Sequence, residues 1–353
     1  MNSTVFSLIT RLSREHRLSR EEYVYLIENR TKEAAELLQT FADKAKKAVY
    51  GNRIFIRGLI EVSNLCRNDC LYCGIRKSNA ACQRYRLTAE EILACCQEGY
   101  ALGFRTFVLQ GGEDRSFSDG FLCDLIKDIK KEYSDCAVTL SLGERSRKSY
   151  EALFLAGADR YLLRHETANK EHYEKLHPSS MSFENRSRCL RDLKEIGYQV
   201  GCGFMVGSPY QTTAHLAEDL TFIQEFSPHM CGIGPFIPHK DTPFRAFPPG
   251  TVELTCYLLS ILRLIKPNIL LPSTTALGSM DPFGREKGIL AGANVVMPNL
   301  SPGEVRKKYM LYNNKASDGA ESAQCKASLA GRMANIDHEI VTDRGDIKPM
   351  ENI

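Results

Sequence analysis

No run of eighteen apolar residues occurs in this 353-residue chain, so no segment has the length and character of a membrane-spanning helix. The opening stretch from Met1 to Arg11 also lacks the apolar core of a secretory signal, and a cytoplasmic protein is expected. An excess of either charge is missing too. Lys and Arg number 46 against 43 Asp and Glu, a net charge of +3, and no long basic run stands out. Nucleic acid and an anionic membrane are therefore not expected partners. No repeat, low-complexity tract or linker divides the chain. The 13 cysteines are odd in number and form no disulfide framework, which agrees with a reducing compartment. What is present is 43% hydrophobic residues, enough for a large core in a small-molecule enzyme.

Residues 1–50 read as helices, with Ser19 and Glu22 forming a capping box and Thr31 capping a further helix. From 51 to 300, short apolar runs alternate with helical patterns, which means parallel strands joined by crossover helices. Candidate strands cover 53–62, 105–110, 136–142, 159–164, 198–206, 229–235, 268–273 and 293–297. Eight β/α units suggest a closed TIM-type barrel, although an open six-strand barrel with two extra strands gives nearly the same pattern. Residues 301–353 read as a C-terminal extension on the barrel, opened by a capping box at Ser301 and Glu304 and ending in a loosely packed polar tail.

The most informative stretch follows the first candidate strand. Cys66, Cys70 and Cys73 stand at C-x3-C-x2-C spacing. A structural zinc site closes with four ligands, and no second pair completes one here. Three thiolates on one loop instead suit an iron-sulfur cluster with one iron left for a ligand carrying adjacent N and O donors. The bland alternative is three unrelated core cysteines. Cys82, Cys95, Cys96, Cys123, Cys136, Cys189, Cys202, Cys231, Cys256 and Cys325 are scattered in that way; the triplet is not.

Other chemistry-bearing groups also fall where strands end, the face on which barrel enzymes build their sites. Gln110, Gly111, Gly112 and Glu113 follow the second strand, where the glycines let backbone approach a ligand and the carboxylate suits an ammonium. Ser141 to Glu144 follow the third, and Arg164 to Thr167 the fourth. Arg160, Arg164 and Glu166 share one strand face, and Arg57 lies inside an apolar run, so these guanidiniums need anions. Two readings stand: pairing with internal carboxylates such as Glu61 or Asp159, or a cavity for a carboxylate- or cyanide-bearing substrate. Thr274 and Thr275 offer uncharged donors for a small anion, or form an ordinary polar turn. His165, His177, His229 and His239 lack metal-ligand spacing and read as packing or surface residues.

The cysteine spacing, with Tyr72 before the third thiol, resembles the radical S-adenosylmethionine (SAM) superfamily. Further stretches are similar to the radical-SAM maturases of the FeFe-hydrogenase active site, in the biotin-synthase-like group. They are Phe55 to Glu61, Ser141 to Glu144, Tyr161 to Thr167, Gly203 to Gly207, Gly232 to His239, Thr274 to Gly278 and Gly292 to Asn299. This resemblance implies a complete (β/α)8 barrel and a single 4Fe-4S cluster held by Cys66, Cys70 and Cys73. It also implies SAM faced by Tyr72, Gln110, Gly111, Gly112, Glu113, Ser141, Glu166, Arg186 and Tyr312. Arg57, Arg160, Arg164, Thr274, Thr275, Met297 and Tyr309 would line a substrate cavity. The implied reaction is attack of a 5'-deoxyadenosyl radical on a cysteine-bound iron carbonyl cyanide complex, with an external one-electron reductant and other maturation proteins as partners. The chain departs from many such proteins in lacking a C-terminal cysteine triplet. Only Cys325 follows Tyr312, so no auxiliary cluster is expected. A methylornithine-forming mutase, a biotin-synthase-like sulfur-inserting enzyme and a non-enzymatic cluster carrier are the competing readings. The second needs strand cysteines that Thr139 and Gly201 do not supply, and SAM cleavage separates the enzymes from the carrier.

Overall fold

The computed structural model describes residues 1–316 and 322–350. Three helices come first: α1 (Ser3–Glu15), α2 (Arg20–Glu28) and α3 (Lys32–Tyr50). Ser19 and Glu22 form the expected capping box, and the Thr31 hydroxyl accepts from the Ala34 amide. These helices pack into the main core rather than standing apart. Tyr257 Oη donates to the Leu26 carbonyl (2.9 Å), and buried Lys46 donates to that of Ile289 (3.0 Å).

The strands are β1 (Arg53–Ile56), β2 (Gly58–Ser63), β3 (Thr106–Gly111), β4 (Ala137–Ser141), β5 (Arg160–Leu162), β6 (Gln199–Cys202), β7 (Met205–Val206), β8 (Met230–Cys231), β9 (Gly234–Pro235), β10 (Val295–Val296) and β11 (Glu339–Val341). A parallel six-stranded sheet runs β2-β3-β4-β5-β6-β8, each crossover carrying helix, as the alternation of patterns predicts. The expected strand 53–62 is divided at Arg57. β1 pairs in parallel with β10 and β11, while β2 joins β3. The expected strand 268–273 contributes only single bridges, Leu270 to Met230 and Pro272 to Val295. Between the sheet and its helices, Ile60, Val62, Phe107, Leu109, Val138 and Leu140 belong to the main apolar core. Alternation therefore turns Leu59, Glu61 and Ser63 to the opposite, inner face.

Two expectations for the end of the chain are corrected. Ser301 caps no helix: its hydroxyl accepts from the Glu61 amide at 2.8 Å, and the short helix Gly303–Arg306 starts without a side-chain cap. The tail is not loosely packed either. β11 extends the sheet beside β1, the Arg344 carbonyl accepts from Thr106 Oγ1 (2.7 Å), and the Lys348 carbonyl accepts from Asn268 Nδ2 (2.7 Å). Residues 343–348 close the end of the sheet where the strands begin, because their charged side chains find buried partners there.

Candidate functional site

The cysteine loop leaves β2 at its C-terminal end, where the strands of the sheet all point. Cys66, Cys70 and Cys73 are half-buried, and each thiol lies near enough to another to feel its charge. Burial pushes all three upward, Cys73 to about 12. An iron ion reverses that balance, since its charge holds ligating sulfur as thiolate. Among the described residues, no three thiol, imidazole or carboxylate groups converge on a single ion.

The loop is seated against the end of β3. Gly112 is required there: a Cβ would lie 2.2 Å from the Leu65 carbonyl oxygen and 2.8 Å from Cys66 Cβ. The Glu113 amide donates to Cys66 Sγ (3.4 Å), and its carboxylate accepts from Arg67 Nε (2.8 Å) and from the Glu144 amide (2.8 Å). Gly143, at φ +77°, makes room for that side chain, whose carboxylate oxygen a Cβ would meet at 2.3 Å. Tyr72 packs beside Phe236 and Leu176 and points its hydroxyl at His177 Nε2, 3.3 Å away. Gln110 and Ser141 are paired in register at the ends of β3 and β4.

Opposite the cysteines, Arg186 on the helix Phe183–Ile196 is buried, donating to Glu144 Oε1 and to the Arg164 carbonyl, both at 2.5 Å. Glu166 is held at φ +67° by its amide bond to the Gly203 carbonyl (3.0 Å). Such a conformation is strained for a side-chain-bearing residue and recurs at functional sites. Arg164 and Glu166 approach to 3.4 Å, but they are misaligned for a hydrogen bond. Arg164 Nε and Nη2, Glu166 Oε2 and Thr274 Oγ1 are all buried without a hydrogen-bond partner. Buried polar atoms in that state are rare in native proteins, and a cluster of them marks where a ligand's donors and acceptors belong. Tyr309 and Tyr312 complete this end. The Tyr309 hydroxyl lies near Gln110, and that of Tyr312 near Ser279 and Arg164. Thr275 begins the helix Thr275–Met280 and is half-buried. A cleft of about 650 Å³ meets the site from the flank at Arg67, Glu113 and Glu144.

The remaining cavity residues lie at the other end. Arg57 donates to Met230 Sδ (2.8 Å) and to the Gly345 carbonyl (3.3 Å). Arg160 donates to Thr106 Oγ1 (2.9 Å), the Arg344 carbonyl (2.8 Å) and Asp346 Oδ1 (2.5 Å). Met297 packs with Phe55, Met230 and Val295 in the same layer. Arg160 thus has its internal carboxylate, but that carboxylate is Asp346; Asp159 pairs instead with Lys130 and Arg344, and Glu61 with Lys315. Lys315 escaped the reading of the sequence, and Glu144 was given no role of its own. Glu144 stands in the Ser141 to Glu144 stretch but has no spacing of its own, and Lys315 carries no local signal at all.

The donor set fits a 4Fe-4S cluster with SAM: three thiols, then cationic, anionic and hydroxyl groups whose buried atoms lack hydrogen bonds, facing the same end of the sheet. Comparison with known proteins agrees. Residues 60–223 match the Radical SAM superfamily model. The chain is 47% identical over 280 residues to the [FeFe] hydrogenase maturase subunit HydE of Thermotoga maritima, covering 79% of this chain and 80% of that protein. It is 30% identical over 284 residues to the 3-methylornithine synthase of Methanosarcina acetivorans, covering 79% of each. The crystal structure of methylornithine synthase (PylB) superposes with a TM-score of 0.82 at 25% identity, over 95% of this chain and 97% of that one. The fold, the cysteine loop and these matches define a radical-SAM enzyme. Such enzymes use a 4Fe-4S cluster and SAM, and among the described residues no helix is long and apolar enough to cross a membrane. Within the superfamily, the chain belongs to the HydE family.

Proposed function

We propose that the chain is a maturase acting in assembly of the FeFe-hydrogenase diiron site, on a small organometallic iron-cysteine complex. Cys66, Cys70 and Cys73 hold a single 4Fe-4S cluster. Tyr72, Gln110, Gly111, Gly112, Glu113, Ser141, Glu166, Arg186 and Tyr312 surround SAM. When bound, the cluster and SAM together supply a 5'-deoxyadenosyl radical from one external electron. The protein's own part is to orient and enclose. Glu113 is held in place by Arg67 and the Glu144 amide, so it faces an ammonium without moving. Arg164, Thr274 and Thr275, with Tyr309 above them, offer donors to an anionic ligand below, and Arg57, Arg160 and Met297 form the far wall. A circuit of eight strands would enclose this space; single bridges from Met230 to Leu270, Pro272 to Val295 and Leu59 to Asn299 support it. Other maturation proteins and a one-electron carrier are the expected partners, in the cytoplasm.

The observation that carries this reading is the 47% identity to HydE, set against 30% to 3-methylornithine synthase, whose fold the chain shares. Anaerobic reconstitution should give one cubane signal by electron paramagnetic resonance that shifts on adding SAM, with 5'-deoxyadenosine formed under reduction. Cys70→Ala should lose both. The protein should also restore hydrogenase activity in a maturation mixture lacking this component. A signal indifferent to SAM would favour the cluster carrier, and formation of 3-methylornithine would favour the mutase.

A further inference from the structure

Residues 308–316 run across the end of the sheet where the cysteine loop sits. The Lys308 carbonyl accepts from Asn64 Nδ2 (2.7 Å), the Leu311 carbonyl from the Gly74 amide (2.8 Å), and Asn313 bonds Pro238 and Lys240. The Ala316 amide donates to Ser279 Oγ (3.1 Å). Each of these bonds lies on loops at the rim. Lys315 reaches inward beside Tyr309, placing Nζ 2.5 Å from Oε1 of Glu61, with the lysine side chain 5% exposed and the glutamate 0%. Glu61 Oε2 accepts from Asn299 Nδ2 (3.0 Å), and the ammonium also lies 5.1 Å from the Tyr309 ring centroid. Gly74, next to Cys73, touches the segment so closely that a Cβ would lie 2.0 Å from the Met310 carbonyl oxygen.

We propose that Lys315 is a positioning residue. Its ion pair with Glu61 latches residues 308–316 over the mouth of the site, setting Tyr309 and Tyr312 against the ligand and shutting water from the radical. This rests on the reading that SAM occupies that mouth. The latch has the properties required. Glu61 is an inward carboxylate in an apolar strand and needs a cation, so the segment closes in one register rather than several. The same carboxylate is uncovered whenever the segment lifts, so hydration of the two charges offsets part of the loss and SAM can enter.

The test compares wild type, Lys315→Met, Lys315→Arg and Glu61→Gln as reconstituted holoproteins. Glu61→Gln keeps the Asn299 bond and removes only the charge, so it carries the comparison if Lys315→Met fails to fold. Hydrogen exchange in residues 308–316 should rise roughly tenfold in Lys315→Met and Glu61→Gln and return towards wild type in Lys315→Arg. With SAM and dithionite alone, 5'-deoxyadenosine should form several-fold faster in the first two, while bound iron and the SAM-shifted signal stay unchanged. Unchanged exchange in folded Lys315→Met, an Lys315→Arg as defective as Lys315→Met, or loss of the cluster in these variants would overturn the assignment. A failure of the SAM reading appears differently, as a wild-type signal that SAM does not shift.

Discussion

Arg160 on β5 donates to Asp346 Oδ1 at 2.5 Å, joining the first residue of a central strand to the C-terminal tail. The guanidinium is fully buried, whereas the carboxylate is 37% exposed. Removing the charge by Asp346→Asn should cost about 2 kcal/mol in denaturant unfolding at pH 7, below the range for a pair buried on both sides. Burial raises this carboxyl, but Arg160 and Arg344 outweigh it and hold Asp346 well below the usual carboxylate range. Its stabilising contribution is therefore complete above about pH 4 and is lost as pH falls through the lowered value. The gap between wild type and Asp346→Asn should close in acid.

Gly112→Ala should separate the cysteine loop from the rest of the fold. A methyl group there strikes the backbone of Leu65 and the Cys66 side chain rather than a flexible chain end. Bound iron after reconstitution should fall sharply while far-ultraviolet circular dichroism stays unchanged; full iron loading would show that the loop has another seat.

Arg164→Ala should leave cluster content intact and weaken use of the iron-cysteine substrate. A charge-assisted hydrogen bond accounts for about 1.5–3 kcal/mol, so KM should rise about 10- to 150-fold. An unchanged KM would remove this residue from the ligand cavity.

Four histidines set a broader pH dependence. Burial holds His165 and His177 at about 3 and His172 and His229 at about 4, so all are neutral in the folded protein near neutral pH. The unfolded chain takes up these protons from about pH 6.5 downward, so stability should fall with pH from there towards about 3. Thermal unfolding at pH 7.5, 6 and 5 reads this; a flat midpoint would mean that the sites are solvated.

The features legible in the sequence were those with local causes. The Ser19–Glu22 capping box, the order of strands and helices, and the placing of Cys66, Glu113 and Glu166 at strand ends each depend on neighbours within a few residues. Ladder length does not: residues 268–273 are apolar enough for a strand, yet they meet their neighbours only at single bridges. The tail was misleading for a similar reason. Arg344 and Asp346 resemble solvated charges until Asp159 and Arg160 are brought beside them. Ser301 met the capping pattern, but a backbone amide from Glu61 claimed its hydroxyl. Lys315 has only a distant partner, and no period or motif betrays such a pairing.

The position of β1 has a consequence for how the protein is made. Its two neighbours are β10 and β11, so the first strand to leave the ribosome has no ladder partner until nearly the whole chain has been synthesised. Contacts this distant in sequence form late and slowly. The six-stranded sheet beginning at β2 can assemble during translation, while β1 waits with Ile54, Phe55 and Ile56 exposed, a stretch prone to aggregation and a natural client for chaperones.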